Sequence, residues 1–250
     1  MRSWRVWMYA ALALCPVMAA AQDGVMIGGD SMMWSVPDYG STALAQSVMR
    51  SATRDRASTR QRPATQATAR PRPTGQGQDL RVRYDPAVSR LAEREYLDAL
   101  SRRVGKPAAE RFGDYFRARP LHGQFAIAAG PYGLRKEDLA DVTAAYFTVM
   151  WMTANDAPLP TKAQVGGVRG QVERLLSRQD AVPGDMALRQ RLAESMMYKL
   201  VSMILLREEA QRTGNAQALR ELAVAARRET GKGFDLATMA LTDEGLVPRH

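Results

Sequence analysis

The sequence predicts an all-α protein, a bundle of about six helices. Three observations support this. Apolar residues recur at helical spacing from residue 84 onward. Residues that start and stop helices flank these stretches. Alternation of apolar and polar residues never continues far enough for a convincing strand, and turn pairs of the Asn-Gly type are absent. We therefore assign residues 84–250 to one helical domain.

The N-terminus predicts a secretory signal peptide over residues 1–21. Arg2 and Arg5 form a basic start, an apolar run begins at Val6, and small residues lead up to Ala21. The run is too short to span a bilayer comfortably, so we expect no transmembrane segment after cleavage. The expected location is periplasmic or secreted; a retained amphipathic anchor is the alternative.

The only cysteine, Cys15, lies inside the predicted signal peptide. Leu14 precedes it, whereas lipoprotein signals place a small residue directly before the modified cysteine, so we expect no lipidation. Cleavage after Ala21 would remove the only thiol, and the exported chain could form no disulfide. Its stability must then come from a packed core.

Residues 22–49 are rich in Gly, Met and Ser and show no regular period, which indicates an irregular segment. Met32, Met33 and Trp34 are its most apolar cluster. They are expected either to dock on the domain as a hydrophobic clip or to belong to a mobile terminus.

Residues 50–83 predict a disordered basic linker, because the region contains nine arginines, two aspartates and almost no apolar side chains. Most of the net charge of +9 arises there. The domain after residue 83 is nearly balanced in charge, so we expect no nucleic-acid partner. A weak contact with anionic surfaces is expected through Arg54, Arg56, Arg60, Arg62, Arg70 and Arg72.

The first two helices have clear boundaries. Asp85 and Pro86 form an N-cap and first-turn pair, and Gly105 is placed to end the first helix. Pro107 is suited to opening the second helix, which should end before Pro120.

The middle of the chain predicts a buried helix after an irregular crossing. Residues 121–134 contain too much Gly and Pro for a regular helix, yet are too apolar for a solvated loop. Residues 136–153 are apolar on nearly all sides, which is typical of a central helix. We expect Trp151 on this helix to be largely buried.

The later helices are also marked by their caps. Thr161 and Gln164 have capping-box spacing. Gly214 and Asn215 supply a stop and an N-cap in adjacent positions. The predicted ranges are about 161–179, 185–212 and 216–230, followed by a short apolar segment.

The weak catalytic candidates are His122, Glu137, Asp138 and Asp141. A general base made from His122 needs a carboxylate partner, and these three acids follow it at the start of the central helix. The plainer interpretation is that the acids favour the positive end of the helix dipole and face water.

Metal and cofactor sites are not predicted. The chain has two histidines, and the mature part has no cysteine, so a zinc site of the His/Cys type cannot be assembled. HExxH, GxSxG and glycine-rich phosphate loops are absent. Methionine thioethers can bind copper, but the helical spacing of these methionines favours core filling. These methionines are Met32, Met33, Met196, Met197 and Met203.

The stretch GPYGLRKEDLADVTAAYFTVMWMTAN, with the signal peptide, the arginine-containing linker and the later helix pair, resembles an uncharacterised family of exported bacterial helical proteins. The resemblance covers about residues 84–240. It implies export and a helical fold, and it implies no activity, cofactor or catalytic residue.

Two functional hypotheses follow. The first is an exported, non-catalytic interaction or binding module of the bacterial envelope. The alternative is an envelope hydrolase that acts on cell-wall material through the carboxylates near the start of the central helix. Convergence of those acids with His122 in a deep cleft would favour the hydrolase.

Overall fold

A computed structural model describes residues 79–177, 184–230 and 235–249. Seven α-helices and one β-hairpin lie in these ranges, which confirms the all-α prediction. None of the helices described there is long and apolar enough to cross a membrane. The elements are α1 (Pro86–Val104), α2 (Lys106–Ala118), α3 (Leu121–Ala129), α4 (Leu139–Ala154), α5 (Lys162–Leu176), α6 (Met186–Arg212), α7 (Ala216–Glu229), β1 (Met239–Thr242) and β2 (Gly245–Pro248).

Helix α4 is the centre of the bundle, as the sequence predicts. It packs against α5, α6 and α7, and all its residues except Trp151 are buried. Its apolar side chains point in every direction, so each neighbouring helix can cover one part of its surface. The core therefore surrounds α4 rather than lying along one stripe of it.

The predicted helix starts are confirmed by the cap geometry. The Asp85 side chain accepts hydrogen bonds from the first turn of α1. Thr161 and Gln164 form the expected reciprocal capping box of α5. The side chains of Asp185 and Asn215 likewise accept hydrogen bonds from the first turns of α6 and α7. Local side-chain chemistry thus sets most boundaries of the bundle.

The expectation of an irregular crossing over residues 121–134 is wrong in its first part. Residues Leu121–Ala129 form α3, and a 3-10 turn follows over Gly130–Tyr132. Leu121, Phe125 and Ala129 are buried at helical spacing, and α3 packs against α6. Burial of this face outweighs the low helix propensity of the glycine.

The absence of strands predicted from the sequence is also wrong, since β1 and β2 pair as an antiparallel hairpin. The turn is only Asp243 and Glu244, and the positive φ of Gly245 allows the chain to reverse. The hairpin lies against α5 at Gly167. A side-chain carbon at Gly167 would come within 2.3 Å of the Asp243 carbonyl oxygen, so only glycine permits this contact.

Trp151 packs against the core but is less buried than the other residues of α4. Its indole Nε1 donates a hydrogen bond of 2.8 Å to the carbonyl oxygen of Met239 on β1. The unpredicted hairpin explains this position, because the tryptophan joins α4 to the hairpin at the edge of the core.

The packed chain begins upstream of residue 84, where the sequence analysis places the domain boundary. Val82 is buried, and its N–H donates to the Glu137 carbonyl oxygen at 2.8 Å. The Leu139 N–H donates in turn to the Leu80 carbonyl oxygen at 2.9 Å. The predicted signal peptide, the segment 22–49 and linker residues 50–78 lie outside the described residues.

Candidate functional site

The carboxylate of Asp138 serves the helix that it precedes. Its Oδ1 accepts hydrogen bonds from the N–H groups of Ala140 at 2.8 Å and Asp141 at 3.4 Å, which makes it the N-cap of α4. Its other oxygen lies 3.5 Å from Arg169 on α5. Both oxygens of this predicted candidate are engaged within the fold.

Asp141 and Glu137 also have cationic partners. Asp141 is buried, accepts a 2.6 Å hydrogen bond from Arg169 Nε and accepts a 2.9 Å bond from the Arg135 N–H. The bond to Asp141 is the main reason that the pKa of Arg169 is raised. Glu137 is exposed and pairs with Lys136 at 2.7 Å, and this hydrogen bond is the main reason that its pKa is lowered. Asp141 therefore joins α4 to α5, whereas the side chain of Glu137 pairs with its sequence neighbour.

His122 has a different carboxylate partner from those predicted. Its Nε2 lies 2.8 Å from Oε1 of Glu194, which is 72 residues further along the chain on α6. The Glu194 side chain is buried, whereas 29% of the His122 side chain is exposed. The direction of this hydrogen bond depends on the tautomer of the imidazole. Glu194 was missed because an acid on α6 looks like a solvated residue until the tertiary structure is known.

A polar network surrounds Glu194. Ser89 Oγ donates to the same Oε1 at 2.6 Å, and Gln190 Nε2 donates to Ser89 Oγ at 3.0 Å. Gln190 also exchanges two hydrogen bonds of 2.9 Å with the backbone of Asp85. The network joins the start of α1 to α6, and His122 extends it to α3.

Tyr84 closes the network on the side of His122. The two rings are 4.2 Å apart between centroids, and the Tyr84 hydroxyl donates to the Lys136 carbonyl oxygen at 2.5 Å. The Lys136 ammonium lies 4.6 Å from the Tyr84 ring centroid. Burial raises the pKa of Tyr84, and the charges of Glu194 and Glu137 add to this effect. The phenol therefore acts as a fixed hydrogen-bond donor.

The chemistry available to this cluster is limited. A buried carboxylate can orient an imidazole as a base, but Ser89 and His122 both bond to Glu194 Oε1 rather than to each other. The histidine is therefore not placed to activate this serine. Glu194 Oε2 is buried with no hydrogen-bond partner among the described residues. Those residues also contain no group of three side chains suited to holding a metal ion.

The outer side of α3 forms a second notable surface. Gly123, Ala126, Ile127, Gly130 and Pro131 are exposed at spacings of three and four residues, so they share one side of the helix and its 3-10 extension. We call these five residues the α3 face. Ile127 is 62% exposed. The α3 face carries no charged side chain, which is unusual for the solvent side of a helix.

The glycines of the α3 face are not required by the fold. A side-chain carbon at Gly123 or Gly130 would meet no atom within 4 Å, and neither residue has a positive φ. Glycine in a helix costs about 0.5 to 1 kcal/mol relative to alanine. Gly167, in contrast, is required by the hairpin. The two α3 glycines thus leave the helix backbone uncovered by side chains, and no contact in the described part of the chain requires this.

The fold defines the molecule as a helical bundle built around one buried helix, with a C-terminal hairpin. Residues 2–249 match the model of a family described as a family of unknown function, DUF6683, and the chain belongs to this family. Comparisons with curated proteins and with solved structures gave no match. The predicted resemblance to an uncharacterised family is thereby confirmed.

Proposed function

We propose that the protein is an exported, non-catalytic interaction module of the bacterial envelope and that the α3 face is its binding surface. The observation that carries the proposal is the uncharged, exposed side of α3 with its two glycines. Small residues allow another backbone to approach closely, and Ile127 offers an apolar side chain for burial. The predicted signal peptide is the second argument, because it implies a periplasmic or secreted location.

Two cations near the ends of α3 and its 3-10 extension indicate the chemistry of the partner. Arg119 precedes α3 and lies over the Tyr115 ring at 5.2 Å. The Lys162 ammonium lies 3.9 Å from the position that a side-chain carbon at Gly133 would take, just beyond the 3-10 turn. Neither cation has a carboxylate partner among the described residues. A protein segment with apolar side chains between acidic ones complements this arrangement.

The alternative proposal is an envelope hydrolase acting through the carboxylates at the start of α4. Its original candidates Glu137, Asp138 and Asp141 are engaged in a cap and in ion pairs, which weakens it. The observation in its favour is the pair of His122 and Glu194, since a buried carboxyl group beside a partly exposed imidazole is suited to general-base chemistry.

A second contact is proposed for the arginine-rich linker on sequence grounds alone. Its charge favours weak binding to anionic envelope surfaces, which falls as salt increases because the Debye length is only about 8 Å at physiological salt. Replacing the six linker arginines that are expected to make this contact by glutamine should abolish sedimentation of the chain with anionic vesicles. Equal sedimentation of this variant and the wild type would leave the linker as a tether.

The main experiment measures retention of the purified chain on isolated envelopes of the native host, together with release of soluble glycan or peptide fragments. We expect Ile127→Asp to reduce retention and Val224→Asp, on the exposed side of α7, to leave it unchanged. No fragments should be released. Fragment release that is lost in His122→Ala or Glu194→Gln would contradict the proposal and support the hydrolase.

The proposed export has its own test. Intact-mass analysis of protein from the periplasm or medium should show a chain that begins near Gln22. Recovery of only the full-length chain in the cytoplasm would contradict the location and, with it, the envelope role.

A further inference from the structure

We propose that the C-terminal end of α4 carries a binding site for an acidic protein segment, formed by Arg227 and Arg249 with Arg207 as a buried neighbour. The proposal gives the interaction module a second ligand, and it does not depend on the α3 face. Three elements bring these guanidinium groups to one place, since Arg207 lies on α6, Arg227 lies on α7 and Arg249 directly follows β2. We call the three residues the arginine cluster.

Arg227 and Arg249 are bound to adjacent residues at the end of α4. Arg227 Nη2 donates a hydrogen bond of 3.0 Å to the Ala154 carbonyl oxygen. Arg249 Nη2 donates one of 2.8 Å to Asn155 Oδ1, and its Nε donates one of 3.1 Å to the Met239 carbonyl oxygen. Because the acceptors of the two Nη2 atoms belong to neighbouring residues, the two guanidinium groups lie within about 12 Å of each other.

Arg207 adds a buried positive charge at the same segment of chain. Only 11% of its side chain is exposed. Its Nη2 donates to the Ala157 carbonyl oxygen at 2.7 Å and lies 3.3 Å from Asp156 Oδ1. Within the described residues, Asp156 is the one carboxylate that pairs with the arginine cluster. Three positive charges and one negative charge leave an excess of two, and the negative end of the α4 dipole offsets only about half a charge of it.

Most hydrogen-bond donors of Arg227 and Arg249 remain available to a ligand. A guanidinium group has five N–H donors. Within the described residues, Arg227 uses one of them and Arg249 uses two, and neither residue forms an ion pair there. Both residues are exposed. Their unused N–H groups can therefore bind carboxylate oxygens, which a guanidinium group contacts through two parallel hydrogen bonds.

The bonds to α4 and β1 also reduce the entropy that a ligand must take from these side chains. A typical exposed arginine loses rotamer freedom when it binds a carboxylate, and for this reason most surface ion pairs contribute little. Arg227 and Arg249 are already held by oxygen atoms of the fold, so part of this freedom is lost on folding. Arg94 and Arg111 are also exposed but make no hydrogen bond or ion pair with the described residues.

The separation of the two exposed guanidinium groups indicates the kind of ligand. In an extended chain, acidic residues two to four positions apart carry their carboxylates about 7 to 13 Å apart, which covers the distance allowed here. An anionic membrane surface is instead bound by larger groups of flexible cations, such as those of the linker sequence. Two fixed guanidinium groups therefore favour a soluble protein segment that carries several acidic side chains.

Titration with a synthetic acidic peptide tests the site without any envelope material. The probe is a peptide of four Asp-Ser repeats, and the control peptide has Asn in place of Asp. The protein is the full chain with the six linker arginines replaced by glutamine, because the linker would also attract the probe. We expect the Nε–H NMR signals of Arg227 and Arg249 to shift with the acidic peptide only. Binding should weaken as salt increases.

Substitutions of the arginine pair measure its share of the binding. Arg227→Gln together with Arg249→Gln should weaken peptide binding about fivefold or more, because two ion pairs are lost. The matched control, Arg94→Gln with Arg111→Gln, removes the same charge and should change binding less than about twofold. Arg227→Lys with Arg249→Lys keeps the charge but loses the planar donors, so it should weaken binding about threefold. Circular dichroism checks that each variant is folded.

Two further substitutions separate this site from the α3 face. Val224 is exposed three residues before Arg227 on α7, so Val224→Asp should weaken peptide binding about twofold, whereas Ile127→Asp should not change it. The effects on envelope retention should be the reverse. No peptide binding, equal weakening by both double glutamine variants, or sedimentation with anionic vesicles that depends on Arg227 and Arg249 in place of peptide binding would overturn the proposal. Retention that still depends on Ile127 would then leave the proposed function intact.

Discussion

Helices α3 and α4 have similarly apolar sequences but very different surroundings. Both have apolar residues on nearly all sides, yet α4 is covered on every side except at Trp151, whereas α3 is covered on one side only. Three helices pack on α4, while the main helical contact of α3 is with α6. An all-round apolar helix thus marks either the centre of a core or a surface that another molecule covers.

The helix ends differ in the same sense. Asp138 caps α4 through its side chain, and Asp141 anchors the first turn to Arg169. The N-cap of α3 is Pro120, which makes no side-chain hydrogen bond. The position of α3 depends instead on burial of one face and on the bond between His122 and Glu194. Helix α4 is stabilised by the bundle, whereas α3 is held from one side.

The largest difference between the two helices is expected on truncation of their apolar side chains. Phe147→Ala in α4 should cost about 3 to 5 kcal/mol, because a buried ring is removed and a cavity remains. Ile127→Ala in α3 should change the free energy of unfolding by less than about 0.5 kcal/mol. Urea denaturation of both variants measures this, and a comparable loss in Ile127→Ala would show that the α3 face is part of the core.

The next effect concerns two glycines with opposite roles. Gly167→Ala should cost about 1 to 3 kcal/mol, since its new methyl group collides with the backbone of the hairpin turn. Gly123→Ala should instead stabilise the fold by about 0.5 to 1 kcal/mol, because the added carbon meets no atom. Thermal unfolding of the two variants measures both signs. A stabilising Gly167→Ala would contradict the hairpin contact.

The attachment of α3 to α6 is tested at His122. His122→Ala should cost about 1 to 2 kcal/mol, because the buried side chain of Glu194 loses a hydrogen-bond partner. Hydrogen exchange should increase more in α3 than in α4. Exchange that increases equally in both helices would show that α3 does not open separately from the core.

Glu208 on α6 makes the stability of the fold depend on pH, and it lies outside the bond between His122 and Glu194. Burial raises the pKa of Glu208 to about 7, above its value in the unfolded chain. The folded protein therefore binds this proton more tightly, and its stability falls as pH rises from about 5 to 7. Glu208→Gln should remove this dependence and stabilise the fold by about 1 to 2 kcal/mol at pH 8, with little change at pH 4. Denaturation at both pH values measures it, and identical pH profiles would contradict the shift.

The sequence predicted the helix boundaries well where local chemistry decides them. Asp85, Thr161 and Asn215 act as caps in the structure as expected, and Asp185 caps the helix predicted to start there. The central position of α4 also followed from its composition. The N-terminus of α3 has no side-chain cap, and its glycine content favoured a loop, so only packing on α6 reveals the helix.

Long-range contacts account for what could not be predicted. His122 meets Glu194 because α3 packs on α6, and no local pattern relates two residues 72 positions apart. The hairpin turn of Asp243 and Glu244 lacks the usual Asn-Gly signal, and its support comes from α5 through Gly167. The position of Trp151 at the edge of the core depends on that same hairpin.

The most direct test of the account is the variant Gly123→Gln, measured for both stability and envelope retention. A glutamine at this position meets no atom of the fold and favours a helix, so we predict a melting temperature at or above that of the wild type. Its side chain also raises the α3 face, so retention on isolated envelopes should fall at the same time. A variant that is as stable as the wild type and is retained equally well would contradict the claim that the α3 face is a binding surface.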